Sequence, residues 1–458
     1  MFLEWYLGCK TGFSAGFLAA ICLLLQKFSI NNRNFILLLL ERFKFVKSYF
    51  IYMLKEKLEA VIVAQRKELV LSKKTIVREG LSLVKPVPSF VKVVSGIRRC
   101  GKSTLLKQLS KKEKKFYYLN LEDVRLDGFE LSDFIKADKI FAELYGRKGV
   151  YFLDEVQVVS KWEKFVRSLA DKKKKVVLTG SNASLLSREL GTLLTGRHLS
   201  YELFPFSFKE FLDYSNFKPS IDSFKKYFQS GGFPEYLESK QNFVLQELLK
   251  DVVIRDVAVR FGIRNSGLLK KLAIYLISNV GKEFSFNSLK KMFSVASVQS
   301  VIDYVSFFED AYLIFTVPKF SYSYKEQQVN PKKVYSVDNG LSAANSISFS
   351  KDKGRMLENQ VFLHLRRKHK DIFYFKEKNE CDFVVKEKEK IIKAIQVCFE
   401  LNEDNKEREI NGLMKALVKF KMKQGLILTY NQEDIIEIQN KKIFIKPVWK
   451  WLVFTNGP

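Results

Sequence analysis

Between Val91 and Thr179, short uninterrupted apolar runs alternate with stretches whose apolar residues recur every three or four positions. Strands buried on both faces lose the in-out polar rhythm of a half-exposed strand, so this alternation predicts a parallel sheet covered by helices. Four runs are bounded by charges or glycine and are long enough for buried strands: Val91 to Ser95, Phe116 to Leu121, Val150 to Leu153 and Val176 to Thr179. Upstream, Leu54, Leu58, Val61 and Ile62 mark one face of an otherwise polar amphipathic helix. Beyond about Tyr201 the pattern turns helical, and after Met356 it is mixed again.

The first fifty residues have a different texture. The uncharged run Thr11 to Gln26, between Lys10 and Lys27, falls short of the ~20 residues that span a bilayer comfortably. A second apolar run, Phe35 to Leu40, is shorter still, and no small-residue cleavage pattern follows the first. The expectation is that residues 1–52 lie outside the functional fold and that translation effectively begins at Met53; the alternative is a tilted or interfacial anchor.

Composition changes the picture only in part. A chain of 458 residues with 47% hydrophobic content is too long for one ordinary core and too apolar for disorder, so two or three packed units are expected. The net charge of +28, from 78 basic and 50 acidic residues, either meets an anionic partner such as nucleic acid or a membrane surface, or decorates solvated faces. Five scattered cysteines and three scattered histidines suggest neither a disulfide framework nor a zinc site, and point to a reduced, cytoplasmic setting. Any metal should arrive with a nucleotide.

Gly96-Ile97-Arg98-Arg99-Cys100-Gly101-Lys102-Ser103 satisfies GxxxxGK[ST] and lies between an expected strand and a helix carrying Leu105, Leu106 and Leu109. Glycines at those turns let backbone N–H groups curl around phosphate oxygens. Lys102 supplies charge to the β and γ phosphates, Ser103 offers a hydroxyl to Mg²⁺, and the helix that begins at Ser103 and Thr104 adds its positive end. A carboxylate ending a neighbouring strand is also needed to hold the metal, and Val150-Tyr-Phe-Leu-Asp154-Glu155 supplies it. Asp154 is the expected metal-side acid, and Glu155 is placed to orient or deprotonate water, which points to ATP hydrolysis. The run Val176 to Thr179 ends in Gly180-Ser181-Asn182, so Ser181 or Asn182 is a candidate γ-phosphate contact.

Together these residues resemble bacterial and archaeal AAA+ ATP-binding proteins that join an ATPase core to a C-terminal domain of unknown function related to restriction-endonuclease folds. The resemblance runs from about Met53 onward. It includes Leu153-Asp-Glu-Val-Gln157 with Trp162, Leu178-Thr-Gly-Ser-Asn182, Leu194-Thr-Gly-Arg197, Pro205-Phe-Ser-Phe208 with Glu210-Phe211, and Gly231-Gly-Phe-Pro-Glu235. It implies that Ser181 or Asn182 fills a sensor position and that Arg197 is an arginine finger, acting within its own chain or on a neighbouring copy. Asp251-Val-Val-Ile-Arg255-Asp256 also belongs to it, without a role readable from its residues.

The fold expected is α/β: a parallel-sheet P-loop AAA+ core, a helical and winged-helix region, and a C-terminal α/β nuclease-like domain. The boundaries fall at 1–52 (extension), 53–85 (helix), 86–205 (ATPase), 206–266 (lid), 267–325 (winged helix) and 326–458 (nuclease-like). In the winged-helix stretch a third helix from Ser297 carries Val298, Val301, Ile302, Val305 and Phe308 as a buried stripe. In the last region the resemblance places Glu358 on a helix, Asp382 entering a strand and Gln396-Val-Cys398 on the next. Gln396 stands where an acid is usual and Cys398 where a lysine is expected, which argues against cleavage and for a fold kept for binding. Lys319, Lys332, Lys333 and Arg366-Arg367-Lys368 are candidate phosphate contacts. The function expected is an ATPase whose nucleotide state controls engagement of DNA or a protein partner. A low-turnover ATP-regulated switch and an ATP-coupled nuclease are the alternatives.

Overall fold

The computed structural model describes residues 54–71, 75–181, 196–346 and 352–454. The chain divides into the units Met1–Lys57 and Leu58–Pro458. The extension 1–52 lies outside the described residues. No helix among the described residues is long and apolar enough to cross a membrane.

The helix Lys55–Leu71 buries Leu58, Val61, Ile62, Gln65 and Leu69. Leu54, expected on the same face, is exposed. Five strands follow: β1 (Val91–Ser95), β2 (Phe116–Asn120), β3 (Val150–Asp154), β4 (Val176–Gly180) and β5 (His198–Glu202). They form one sheet in the order β2-β3-β4-β1-β5, with every pairing parallel. The four apolar runs are thus strands within a residue of their expected ends. β5 escapes the pattern because its residues are half-buried or exposed, as an edge strand allows. The parallel register brings the C-terminal ends of β1, β3 and β4 to one edge.

Several short motifs of the resemblance have structural causes. Ser207 and Glu210 form a reciprocal capping box at the helix Phe208–Ser215. A Cβ on Gly232 would fall 2.2 Å from the Phe206 carbonyl oxygen, while its N–H donates to Asp338 at 2.7 Å. Pro234 then opens the helix Pro234–Ser239.

Downstream, the helices Ser266–Ser278, Phe286–Met292 and Val298–Asp310 lie where three helices are expected. They accompany a small antiparallel sheet of β6 (Glu283–Phe284), β7 (Ile314–Pro318) and β8 (Lys332–Ser336), ordered β6-β8-β7. In the third helix Val301, Val305 and Phe308 are buried, while Val298 and Ile302 are half-buried. The rest is a six-stranded mixed sheet of β9 (Ile372–Lys376), β10 (Glu380–Glu387), β11 (Lys390–Val397), β12 (Gln424–Thr429), β13 (Asp434–Ile438) and β14 (Lys441–Pro447), ordered β13-β14-β12-β11-β10-β9. The helices Lys353–Arg366 and Glu403–Lys419 pack against it.

Candidate functional site

Ser95 ends β1, and the chain turns through Gly96–Gly101 into the helix Lys102–Ser110. The two glycines are required by different contacts. A Cβ on Gly96 would lie 2.1 Å from the Leu203 carbonyl oxygen, and Gly101 takes φ 101° with the Arg78 guanidinium 2.8 Å from its missing Cβ. Arg78 donates to the Cys100 carbonyl at 2.8 Å and to the Phe204 carbonyl at 2.7 Å, pinning the loop from behind.

Lys102 is buried at the loop's centre. Its ammonium donates to the Gly96 and Ile97 carbonyls at 3.1 and 3.3 Å and lies 3.3 Å from the Glu155 carboxylate. Burial works against its charge, but Glu155, with Asp154, holds it above the ordinary lysine range. The Cys100 thiol is pushed up by burial, which keeps it neutral.

Asp154 ends β3 without solvent exposure. Its carboxylate accepts from Tyr118 at 3.1 Å and from the Thr179 and Ser103 hydroxyls. Burial, with Glu155 adding to it, raises its proton affinity against those hydroxyl donors. A serine hydroxyl beside a carboxylate is a hard-oxygen pair that fits Mg²⁺ shared with phosphates. Thr104 follows on the same helix, half-buried. Glu155 sits in the left-handed region at φ 50°, uncommon for a residue with a side chain. Its amide donates to Thr179 Oγ1 at 3.0 Å, and its carboxylate accepts from Gln157 at 2.6 Å. Burial pushes Glu155 up, but Lys102 outweighs it and holds the group below the ordinary range, so it is ionised at neutral pH.

Thr179 is therefore the β4 residue that touches both acids, a role that its place at the end of an apolar run does not signal. Ser181 is buried nearby and accepts from Gln157 at 3.4 Å. Asn182 lies outside the described residues. Ile97 is buried in the core, whereas Arg98 and Arg99 face carboxylates of the segment Glu235–Asp256.

Arg197 precedes β5 and pairs with Asp171 at 3.0 Å. Its carbonyl accepts from Val91 N, at the start of β1. The loop follows the far end of β1, so a strand length of about 16 Å separates Arg197 from its own phosphate loop. Arg197 thus stands at the opposite end of β1 from its own phosphate loop.

A family described as "AAA domain" matches residues 89–212 and a domain of unknown function matches residues 221–351. An uncharacterized protein of Methanocaldococcus jannaschii, MJ1544, is 39% identical over 400 residues, covering 80% of this chain and 89% of that one. An uncharacterized Haemophilus influenzae protein is 31% identical over 347 residues, covering 70% and 85%. The chain belongs to this family of AAA+ P-loop proteins. Among solved structures, AMPPCP-bound DnaA from Aquifex aeolicus matches with 14% identity, covering 50% of this chain and 85% of that one, at a TM-score of 0.25.

This AAA+ protein holds a second buried charge cluster. The Lys333 ammonium lies 2.9 Å from Glu358, 2.9 Å from Asp382 and 2.6 Å from Glu380. Tyr335 donates to Glu358 at 2.6 Å. Asp382 also accepts from Val397 N at 2.9 Å, and its own amide donates to Gln396, whose NH₂ donates to Glu409 at 2.6 Å. The structure thus brings Glu358, Asp382 and Gln396 together, and adds Lys333, Glu380, Tyr335 and Glu409, which sequence order does not reveal. Among the described residues no group of three or more His, Cys, Asp or Glu side chains could hold a metal ion.

Three candidate phosphate contacts are corrected by this geometry. Lys333 is 2% exposed and internally neutralised. Arg366 pairs with Glu202 at 2.9 Å, and Arg367 donates to the Pro205 carbonyl at 2.8 Å while covering the Phe204 ring. These are cross-links between sequence regions, not a solvated basic face. Lys319 and Lys332 are half-buried, and Lys368 is exposed.

Proposed function

We propose that the protein hydrolyses ATP at the Gly96–Ser103 loop and that the nucleotide held there sets how the rest of the chain engages a partner. The observation that carries the reading is convergence: Lys102, Ser103, Asp154, Glu155 and Thr179 meet at the C-terminal ends of three adjacent strands. Loop amides and the following helix N-terminus receive the phosphates. Lys102, already fully charged, turns from the Gly96 and Ile97 carbonyls to phosphate oxygens. Ser103 and Asp154 would hold Mg²⁺, which would supply neutralisation of phosphate charge. Glu155, ionised and fixed by Gln157 and Thr179, orients water and takes its proton as the water oxygen bonds to the γ phosphorus and the bond to the bridging oxygen breaks.

For the partner, the helix Val298–Asp310 speaks against major-groove reading: it contains no lysine or arginine and carries Asp303, Glu309 and Asp310. A protein partner is the better match for this module. The Lys333 cluster supports a nuclease-like fold retained without cleavage, since one ammonium already pairs with the acids that a metal would need. The test is phosphate release by the full chain with Mg²⁺ and ATP, with and without duplex DNA, beside Lys102→Ala. Release absent from the parent chain, or retained by Lys102→Ala, overturns the reading; DNA stimulation overturns the choice of a protein partner.

A further inference from the structure

Two consecutive arginines occupy the interior of the phosphate loop, and both are tied to one distant segment. Arg98 Nε and Nη2 donate to the two oxygens of Asp256 at 3.2 and 3.1 Å, and Nη1 donates to Glu122 at 3.1 Å. Arg99 pairs with Glu235 at 2.8 Å and reaches Asp251 at 3.5 Å, from a backbone held at φ 64°. Asp256 is 2% exposed, so its charge depends on the fork from Arg98 for nearly all its compensation. It lies within a π-helix, Val252–Val259, with Asp251 immediately before it. Such wide turns are rare and gather at functional positions.

Four carboxylates, Glu122, Glu235, Asp251 and Asp256, therefore stand around a loop whose glycine pattern is built to accept phosphates. An incoming triphosphate carries the same sign, and the cations between the two anionic sets are Arg98 and Arg99. One guanidinium cannot give its fork to Asp256 and to a phosphate together. We infer that Asp256, with Asp251 and Glu235, forms a carboxylate latch that competes with nucleotide for Arg98 and Arg99, so that nucleotide binding and docking of the segment Pro234–Val259 oppose one another. The inference rests on the loop being the ATP site. It gives the segment Asp251–Asp256 a role as positioning residues for the loop, and it supplies the path by which nucleotide state leaves the site. Just after the π-helix, the ring of Phe261 stacks on Phe307 of the helix Val298–Asp310 at 3.8 Å between centroids. A shift of the latch is thereby felt in the module proposed to meet the partner.

Opposition is reciprocal: if nucleotide loosens the latch, a weakened latch must tighten nucleotide. The experiment is calorimetric titration of the full chain with Mg²⁺ and a non-hydrolysable ATP analogue, comparing the parent, Asp256→Asn, Arg98→Gln and the double variant. Asp256→Asn should bind the analogue at least about fivefold more tightly, a gain that a merely structural defect would not produce. In the Arg98→Gln background the same change should shift affinity less than about twofold. Unchanged or weaker binding by Asp256→Asn, or a gain that persists without Arg98, overturns the latch. A parent chain that binds no analogue overturns the ATP-site reading instead, so the two failures are distinct. If Asp256→Asn does not fold, the half-exposed Glu235→Gln takes its place with the same expected direction. Amide exchange of residues 234–259 in the parent gives the second readout: it should rise on adding the analogue, and constant or slower exchange overturns the proposal.

Discussion

Arg78 and Glu210 pair at 2.8 Å behind the phosphate loop, with side chains 1% and 3% exposed. The guanidinium is shared four ways, between that carboxylate, the Cys100 carbonyl, the Phe204 carbonyl and the face of the Phe206 ring. Glu210 in turn caps the helix Phe208–Ser215 and accepts from Glu79 N at 2.9 Å. Removing one member leaves the other charged without solvent, which costs about 3–5 kcal/mol. Arg78→Met should therefore lower the denaturation midpoint sharply. Any folded fraction should bind ATP poorly, because the Cys100 carbonyl loses its anchor. Chemical denaturation followed by nucleotide titration checks both.

Acid should act through the same pair. Burial pushes Glu210 up, but Arg78 outweighs it and holds the group below the ordinary glutamate range. A depressed carboxylate contributes stability above its unfolded value, about 4.3, and that contribution is lost as pH falls through the folded value. Parent and Glu210→Gln stabilities should therefore differ most near neutrality and converge below about pH 4. Denaturation curves at a series of pH values report the difference.

Glu155→Gln keeps the hydrogen-bonding shape but cannot take a proton. It should bind ATP while slowing turnover about 10²–10⁴-fold. Thr179→Val should slow turnover as well, since it removes the hydroxyl that holds both acids. Equal turnover by parent and Glu155→Gln would refute the assignment.

Arg197 lies a strand length from its own phosphate loop, which favours the reading in which it serves a neighbouring copy. Arg197→Ala alone should lose turnover, as should Lys102→Ala, whereas a mixture of the two should recover part of it, because one copy of each kind completes a site. A mixture as inactive as its parts would remove Arg197 from the mechanism.

Lys333→Met would leave Glu358, Glu380 and Asp382 facing one another. Burial, with Glu358 adding to it, already pushes the Asp382 carboxyl up to about 7 against the pull of Lys333. Destabilisation by about 3–5 kcal/mol is expected, with no cutting of supercoiled DNA by parent or variant in Mg²⁺ or Mn²⁺. Cutting by the parent would revive the nuclease alternative.

The parts of the site legible in the sequence were those whose cause is local. Gly96 to Ser103 and Asp154-Glu155 announce themselves because a phosphate loop and a strand-ending acid pair each need a fixed spacing over a few residues. The four central strands were visible because burial on both faces writes an apolar run. What stayed hidden depends on long separations: Arg98 meets Asp256 across 158 positions, Arg78 meets Glu210 across 132, and Lys333 meets Asp382 across 49. Lys333 and Arg366 looked like surface charge because composition says nothing about partners, and only packing turned them inward. Arg197 could be noticed beside its glycine but not placed, since which end of β5 it occupies relative to the loop is a property of sheet register.

Ser95, the last residue before the loop, shares a hydrogen bond of 2.5 Å with the Tyr312 hydroxyl, 217 positions later. During synthesis the glycine-rich turn leaves the ribosome long before that tyrosine is made, at about 5–20 residues per second. A nascent chain can therefore assemble its central strands early, yet the pocket settles only after most of the polypeptide has emerged. Completion of the loop's surroundings is in this way tied to a residue made late in the chain.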